Sequence, residues 1–353
     1  RYEAHLVDPT LPKPHIRAIK AEWSRVKHDQ FPWLAESPAN ANLQPFDHLD
    51  GAFKRFFTKK ARRPRFKKKG VRDSFYVDNQ KMKLDSRRVQ LPKIGKVKLT
   101  EALRFSGKVL KGTVSREAGR WFLSVSVELR DGRRQRTGNG GVGVDLGLTT
   151  LATIATGEAV ENPRALARKL KRLRRLQRAH ARKVKGSNNR RKSAQALGRL
   201  HWRVGNVRKD AIHKATTRLC RENQAVVIED LNVAGMLKNR RLARSIGDAG
   251  WGEFRRQLTY KSVLYGTRLV VADRFFPSSK TCSSCGAVRA HLDISERVFT
   301  CDTCGFTINR DLNAAINLRT LGMRETHACG ELVRPEGFGS AAGLAEVGSR
   351  IDS

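Results

Sequence analysis

The sequence predicts a multidomain α+β protein, and three observations support this prediction. Strand-like alternation of apolar and polar residues dominates residues 75–128, whereas helix-like periodicity dominates from residue 163 to residue 222. Two Cys-x-x-Cys pairs near the carboxyl end are typical of a small metal-binding module. At 353 residues, the chain is long enough to build two or three hydrophobic cores.

The charge balance points to an anionic partner. The chain has 71 Lys and Arg residues against 33 Asp and Glu residues, which gives a formal net charge of +38. An anionic ligand would offset the repulsion among so many positive charges, and nucleic acid is the favoured ligand of this kind. A membrane surface is disfavoured because no long apolar run or basic amphipathic anchor stands out. The first residue is Arg1 and not Met, so we expect the natural start to lie upstream.

Residues 1–58 are expected to form short helices of a partial helical lobe, with Ile16, Ile19 and Trp23 on one face. The basic run 59–69 follows, with eight cations in eleven residues. Such a run is often only a solvated surface, but in a chain this basic it favours contact with phosphates. The residues predicted to make these contacts are Arg65, Lys67 and Lys68.

Strand signals fill residues 75–128. Residues 109–115 and 121–128 alternate cleanly, which predicts a β-hairpin with Leu123, Val125 and Val127 on its core face. Earlier segments could complete a small antiparallel barrel or sheet. We therefore assign residues 59–137 to a β-barrel domain that ends in a Gly- and Arg-rich linker.

Residues 141–147 place the first of three notable acids on a strand. Apolar residues alternate there with Gly143, Asp145 and Gly147, so one carboxylate lies on the second face of the strand. The glycines on both sides of Asp145 leave room for something bulky to approach the backbone. Taken alone, an Asp-x-Gly sequence is more typical of a turn. A second strand is expected at residues 149–156.

A basic helical hairpin is predicted at residues 163–222. Residues 164–209 contain eighteen Lys or Arg residues and no acid. Apolar residues form two narrow seams separated by a break at residues 186–189, and the second seam ends at Val207. A solvated face would carry mixed charges, so the uniform charge favours a groove for a nucleic-acid backbone. The residues predicted to contact nucleic acid here and beyond are Arg168, Arg172, Arg175, Arg240 and Arg241.

Two further acids fall at the ends of predicted elements. Residues 225–230 read as a buried strand, and Glu229 lies at its carboxyl end, where ligands bind in open α/β sheets. A helix begins after Asn309, a plausible N-cap, and Asp311 lies on its inward face in the first turn. The simpler alternatives are a helix cap for Glu229 and a favourable helix-dipole charge for Asp311.

The cysteine spacing predicts a structural zinc site. Cys282 and Cys285 form one pair, Cys301 and Cys304 form another, and fifteen residues separate the pairs. Two such turns aim four thiolates at one tetrahedral Zn²⁺, which leaves no open position for chemistry. The two other cysteines are Cys220, which is expected in the core, and Cys329, which has no partner by pattern.

Asp145, Glu229 and Asp311 together suggest a catalytic site. Two strands and one helix each supply one acid, and the predicted order of elements is that of an RNase H-like fold. Two Mg²⁺ ions about 3.5–4 Å apart need several carboxylates to hold them. With such a pair bound, a site of this kind hydrolyses phosphodiester bonds.

These motifs resemble those of the TnpB family, transposon-encoded RNA-guided nucleases related to type V CRISPR effectors. GVDLG (143–147), VIED (227–230) and NRDLNAA (309–315) are similar to the three motifs of the family's RuvC domain. FPSSKTCSSCG (276–286) is similar to the start of its zinc ribbon. SIGDAGWGEF (245–254) and RPRFKKK (63–69) match further segments, and Asn309 stands where many relatives have Asp.

The resemblance implies a domain plan and a function. It implies that Asp145, Glu229 and Asp311 hold two Mg²⁺ ions, that a guide RNA pairs with double-stranded target DNA, and that Arg310 contacts nucleic acid. It also implies a bacterial, cytoplasmic, nucleoid-associated protein with no membrane partner, and self-association is left open. The expected domains are a helical recognition lobe (1–58), a wedge barrel (59–137), a RuvC-like nuclease (138–279), a zinc ribbon (280–308), the last RuvC helix (309–325) and a flexible tail (326–353).

Three other functions compete with a guided nuclease. A repressor that binds DNA without cleavage is disfavoured because such relatives lose a RuvC acid, and all three acids are present. A strand-transferring transposase, or a protein accessory to one, would need a tyrosine nucleophile or a different spacing of acids. A plain zinc-ribbon RNA-binding protein would explain the charge but not the inward acids. The family's usual first strand and helix are not found, so the wedge barrel and the recognition lobe are expected to be incomplete.

Overall fold

A computed structural model describes residues 7–8, 10, 15–68, 70, 73–103, 107–129, 134–293, 295–328 and 347–351. The chain divides into two compact units, of which the first comprises Arg1–Arg130 with Ala342–Ser353. The second unit comprises Asp131–Ala341. The mixture of helices and sheets agrees with the predicted α+β class. No helix in the described part of the chain has both the length and the apolar character needed to cross a bilayer.

The first unit begins with the predicted short helices. Helix α1 spans Ile16–Gln30, a 3₁₀ turn covers Pro32–Glu36, and helix α2 spans Ala39–Phe57. The ring of Trp23 lies 5.4 Å from that of Phe31 and 5.9 Å from that of Phe46, measured between centroids. An aromatic cluster therefore joins the two helices.

Two antiparallel sheets share one core in the first unit. The predicted hairpin is confirmed as β5 and β6, and Leu123, Val125 and Val127 are almost fully buried. The sheet orders are β1–β5–β6–β14, in which β14 is Val347–Ile351, and β2–β3–β4. The strands of this unit before the carboxyl end are β1 (Ser74–Asp78), β2 (Lys83–Asp85), β3 (Arg88–Leu91), β4 (Gly95–Lys98), β5 (Lys108–Glu117) and β6 (Arg120–Glu128).

The carboxyl end differs from the prediction of a flexible tail at 326–353. The last helix continues to Ala328, and Val347–Ile351 form strand β14, which pairs with β6 in antiparallel register. The sequence signal was weak because Val347 and Ile351 are the only β-branched residues of that strand. Cys329 and the rest of the tail lie outside the described residues.

The second unit is built on a five-stranded sheet of order β11–β10–β7–β8–β9. Strands β11, β10 and β7 are parallel, and β8 and β9 continue the sheet in antiparallel order. A separate two-stranded ribbon of β12 and β13 lies beside the cysteines. The strands are β7 (Gly141–Asp145), β8 (Thr150–Ile154), β9 (Ala159–Glu161), β10 (Ala225–Glu229), β11 (Arg268–Ala272), β12 (Val298–Thr300) and β13 (Thr307–Asn309).

The helices of the second unit include the predicted basic hairpin. Helices α3 and α4 form it and pack against each other, although Val207, predicted in the apolar seam, is 51% exposed. Helix α4 runs past the expected seam to Glu222, where its later turns are buried against the sheet. The helices are α3 (Ala165–Ala181), α4 (Asn188–Glu222), α5 (Val233–Met236), α6 (Ala243–Ala249), α7 (Trp251–Tyr265) and α8 (Arg310–Ala328).

Each face of the central sheet packs against different helices. Val144 and Ile228 belong to the larger core, together with Ile212 of α4 and Phe254 of α7. Val227 lies on the opposite face, in a smaller cluster with Leu318 of α8 and residues of β11. This division matters for the acids, because alternate residues of a strand point to opposite faces.

Candidate acidic site and zinc centre

Asp145 and Glu229 stand side by side at one edge of the sheet. They are the last residues of β7 and β10, which are parallel neighbours. The register pairs Val144 with Ile228, so the two acids occupy the next position along both strands. Parallel neighbouring strands lie about 4.8 Å apart. The carboxyl edge of the sheet therefore presents two carboxylates from segments far apart in sequence.

Helix α8 approaches the sheet on the face that carries these acids. A Cβ atom on Gly143 would lie 2.0 Å from the carbonyl oxygen of Ala315 and 2.4 Å from the amide nitrogen of Arg319, so only glycine fits there. Asp145 shares its face with Gly143, and Glu229 shares its face with Val227, which packs on α8. Both carboxylates therefore point to the side of the sheet that α8 covers.

Asp311 reaches the same place from the first turn of α8. The helix runs opposite to β7, because Met323 lies against Gly141 and Ala315 lies against Gly143. Asp311 is about 6 Å along the helix axis from Ala315, and Asp145 is about 6.6 Å along the strand from Gly143. The two acids therefore come level with each other. As predicted, Asn309 caps the helix, since its side-chain oxygen accepts the N–H of Asp311 at 3.0 Å.

The electrostatics of Asp145 reflect the two acids near it. Burial, followed by the charges of Glu229 and Asp311, raises the pKa of Asp145 to about 8, against a smaller opposing effect of Arg310. Arg310 was predicted to contact nucleic acid, but its side chain is only 15% exposed, and its guanidinium lies 3.3 Å from a carboxylate oxygen of Asp311. Arg310 thus offsets part of the charge of the three acids, and a local excess of negative charge remains.

The acids are neighbours but are not drawn together as metal ligands. In the part of the chain that the structure describes, the four cysteines are the one group of His, Cys, Asp or Glu side chains set close enough to hold a metal. Glu229 is bound instead by the hydroxyl of Ser278, and Asp311 by Arg310. An all-oxygen donor set with unbalanced negative charge fits Mg²⁺, which prefers carboxylates and water.

The four cysteines already have the geometry of a zinc centre. The sulfur atoms of Cys282 and Cys304 lie 3.8 Å apart, and those of Cys285 and Cys301 lie 3.6 Å apart. A tetrahedron with Zn–S bonds of about 2.3 Å requires sulfur separations of about 3.8 Å. The backbone N–H groups of Cys304 and Thr303 lower the pKa of Cys301 to about 6, which favours the thiolate that zinc binds. The predicted cluster is therefore present and could hold Zn²⁺.

The other predicted contact residues lie where solvent can reach them. Arg168, Arg172 and Arg175 are exposed on α3, and Arg168 forms an ion pair of 3.2 Å with Glu161. The exposed residues outside the hairpin are Arg65, Lys67, Lys68, Arg240 and Arg241. Their exposure permits binding to a phosphate backbone, and contact with nucleic acid stays a prediction.

Cys220 is in the core, as expected. It is fully buried, and burial raises the pKa of its thiol to about 12. A thiol held in this way is not a metal ligand.

The sequence reasoning missed two polar residues that hold the site and the hairpin in place. Asp248 is 5% exposed and accepts the N–H groups of Leu166 and Ala167 at the start of α3, and it also binds Arg208 at 3.1 Å. Ser278 is 2% exposed and donates to Glu229. Both lie in segments noted only as family motifs, and no local pattern marks their distant partners.

Comparison with known proteins gives consistent matches along the chain. The family OrfB_IS605, described as "Probable transposase", matches residues 124–240, and "Cas12f1-like, TNB domain" matches residues 251–318. A Streptomyces pristinaespiralis protein named "Putative RNA-guided DNA endonuclease" is 40% identical over 335 residues, which cover 94% of this chain and 82% of the relative. InsQ of Escherichia coli K12, with the same description, is 35% identical over 92% of this chain and 84% of its own length.

The structural comparison agrees with the sequence matches. A cryo-EM structure of a Cas12f1–sgRNA–target DNA complex matches with a TM-score of 0.51 and 15% identity, over 90% of this chain and 78% of that one. At this identity the match concerns the fold alone. The chain is thus a mixed α/β protein with a Cas12f1-like fold and a four-cysteine cluster. More narrowly, it belongs to the TnpB family.

Proposed function

We propose that this protein is an RNA-guided DNA endonuclease. The names of its relatives support this proposal. The fold also supports it, because it is shared with Cas12f1, whose structure was solved in complex with a guide RNA and target DNA. The observation that carries it is the convergence of Asp145, Glu229 and Asp311 on one face at one edge of the sheet. Neither a repressor nor a plain RNA-binding ribbon accounts for three acids at that point.

The domain assignment follows from this proposal. The five-stranded sheet with α8 would be the RuvC-like, RNase H-like nuclease over residues 138–279 and 309–325, with the zinc ribbon at 280–308 between its last two motifs. The sheets of residues 59–137 would form the wedge barrel, and α1 and α2 would form the recognition lobe. The hairpin and the exposed arginines would bind the phosphate backbone, which is the contact that a base-paired guide leaves to protein.

Asp145, Glu229 and Asp311 would hold Mg²⁺. A bound pair of such ions activates water and stabilises the leaving 3′ oxygen of a phosphodiester. Asp145 must lose its proton to serve as a ligand, because its pKa near 8 keeps much of it protonated at neutral pH. Arg310 neutralises Asp311 in the free protein. Arg310 lies beside this site, where it would also contact a phosphate oxygen of the substrate, as predicted.

A cleavage assay tests the proposal. The protein is purified with its bound RNA, the RNA is sequenced, and plasmids carrying a matching target are incubated with Mg²⁺. We expect cleavage by the wild-type protein and a loss of at least about 100-fold in Asp145→Ala, with target binding retained, because only the metal site is removed. Matched controls are plasmids without a target and the variant Asp230→Asn.

The control variant changes an acid next to Glu229 that faces the other side of the sheet. Asp230 binds Arg255 and Arg274 and lies outside the acid cluster, so its loss should leave cleavage within a few-fold of wild type. Guided binding without cutting by the wild-type protein would establish a repressor instead. A protein that carries no discrete RNA would overturn the guided mechanism.

A further inference from the structure

Ser278 makes a contact that the proposed mechanism does not use. It lies on the segment between β11 and the first cysteine pair, and its side chain is 2% exposed. Its hydroxyl donates to the Oε1 atom of Glu229, 49 positions earlier in the chain. A buried hydrogen bond to a carboxylate fixes the rotation of that carboxylate, since the acid loses a strong partner if it turns away.

Two asparagines of α8 hold the backbone of the segment that carries Ser278. Asn317 is 6% exposed, and its amide donates to the carbonyl oxygens of Ser278 at 2.8 Å and Thr281 at 2.6 Å. Asn313 is fully buried, donates to the Thr281 carbonyl at 2.7 Å and accepts the N–H of Ser283 at 3.0 Å. We call these four hydrogen bonds the asparagine clamp.

The asparagine clamp joins the zinc centre to the acidic site. Thr281 precedes Cys282, and Ser283 lies between Cys282 and Cys285. One end of the clamp is therefore the turn that carries the first cysteine pair, which we call the zinc knuckle. The other end is Ser278, which is bound to Glu229. The two asparagines of the clamp also lie within two turns of Asp311 on the same helix. A path of hydrogen bonds therefore runs from the zinc knuckle through the asparagines of α8 and through Ser278 to Glu229.

We propose that Ser278 is a positioning residue for Glu229, and that the asparagine clamp makes this position depend on the folded zinc knuckle. The proposal rests on the proposed function, because it assumes that Glu229 is a ligand of the divalent cation. Hydrogen-bond partners that orient metal ligands typically change metal affinity about 10–100-fold when they are lost. The zinc ribbon would then contribute to the binding of the catalytic metal as well as to its own fold.

The test measures Mn²⁺ affinity of the RNA-bound protein by titration calorimetry and by electron paramagnetic resonance, with no cleavage required. We expect Ser278→Ala to bind Mn²⁺ about 10-fold more weakly than wild type. Ser278→Thr keeps the hydroxyl and should recover much of the affinity. The matched control is Ser283→Ala, since Ser283 enters the clamp through its backbone N–H alone and should bind Mn²⁺ as the wild-type protein does.

Coupling to the zinc knuckle is measured with a double-mutant cycle. Cys301→Ser removes a zinc ligand, and far-UV circular dichroism of each variant checks that the sheet remains folded. We expect Cys301→Ser to weaken Mn²⁺ binding in the wild-type background by several-fold, and to have much less effect in Ser278→Ala, because the path is already broken. Equal effects in the two backgrounds would overturn the coupling.

One further variant separates this proposal from the proposed function. If Asp145→Ala abolishes Mn²⁺ binding while Ser278→Ala leaves it unchanged, the acidic site stands and the positioning role of Ser278 is wrong. If Asp145→Ala also binds Mn²⁺ as wild type does, the acidic site itself fails, and the role of Ser278 fails with it. Loss in both variants, with recovery in Ser278→Thr, supports the proposal.

Discussion

Asp145 sits in an environment that opposes its own ionisation. It is half-buried at the end of β7, and the two nearest acids add negative charge, so its pKa is raised from 3.8 to about 8. A carboxylate of this kind costs folding free energy whenever it is ionised without a cation. The environment of Asp145 therefore favours the binding of a cation and lowers the stability of the protein without one.

The stability of the free protein should depend on pH through Asp145. Between about pH 4 and pH 8, the unfolded chain ionises Asp145 while the folded chain keeps its proton, so stability falls as pH rises through this window. Asp145→Asn resembles the protonated form and escapes this loss. We expect the variant to melt several degrees above wild type at pH 8 without divalent ions, and close to it below pH 4.

The measurement is a thermal melt across pH in the presence of a chelator that spares the zinc. Asp210→Asn is the control, because Asp210 is exposed on α4 and pairs only with Lys214 in the described structure. Its melting temperature should shift little at any pH. An Asp145→Asn variant that gains nothing between pH 4 and pH 8 would show that the acid is not held in a charge-unfavourable site.

Sequence reasoning located the acids at the residue scale but not the residues that hold them. Asp145, Glu229 and Asp311 could be found because each stands at a recognisable point, a strand end or a first helical turn. Ser278 and Asp248 could not be found, because their partners lie 49 and 82 positions away. A local pattern carries no information about a contact that exists only after the chain has folded.

At the scale of elements, the packing of α8 against β7 decides whether the three acids lie close to one another. The helix approaches so closely that any side chain at Gly143 would overlap its backbone. The sequence suggested room for something bulky beside the backbone at Asp145, and in the structure α8 packs against Gly143. This close approach brings Asp311 level with Asp145.

Gly143→Ala should displace α8 and weaken both the fold and the metal site. Its Cβ would lie 2.0 Å from a backbone oxygen, which cannot move as a flexible side chain could. We expect a loss of about 1–3 kcal/mol in unfolding free energy and a lower affinity for Mn²⁺. Chemical denaturation and Mn²⁺ titration measure the two effects.

The control for this variant lies three residues earlier. A Cβ on Gly140 would meet nothing within 4 Å, and the residue does not have a positive φ, so Gly140→Ala should be nearly neutral. Equal stability of Gly143→Ala and Gly140→Ala would contradict the observed packing of α8.

The basic hairpin depends on an anchor at its first turn. Helix α3 begins after Arg164, whose own side chain does not cap it, and Asp248 of α6 accepts the free N–H groups instead. The same carboxylate binds Arg208 of α4, so one buried acid fixes both arms. The hairpin could be predicted from charge and periodicity, but this anchor could not.

Asp248→Asn should loosen the start of the hairpin. It removes the charge from hydrogen bonds to two N–H groups and one guanidinium, which costs about 2–4 kcal/mol in a buried setting. We expect faster hydrogen exchange at Leu166 and Ala167, measured by mass spectrometry. Glu161→Gln is the control, because it breaks an exposed ion pair to Arg168 on the same helix and should leave exchange unchanged. Unchanged protection in Asp248→Asn would contradict the anchor.

At the scale of the whole molecule, the cysteine spacing was a reliable signal, and the charge supports the proposed nucleic-acid partners. A net charge of +38 indicates an anionic partner without any knowledge of the fold, and the cysteine spacing indicated a cluster that the structure contains. The division of the β-rich region into two sheets, and the return of 347–351 to pair with β6, depend on distant contacts. The sequence of a short strand does not specify them.

We propose that three acids from separate segments of the chain form one site for divalent cations. Anomalous diffraction at the manganese edge, from crystals of the RNA-bound protein grown with Mn²⁺, tests this claim most directly. We expect anomalous peaks contacted by Asp145, Glu229 and Asp311, and the loss of these peaks in Asp145→Ala crystals. Manganese bound elsewhere, or no peak at these carboxylates in the wild-type protein, would contradict it.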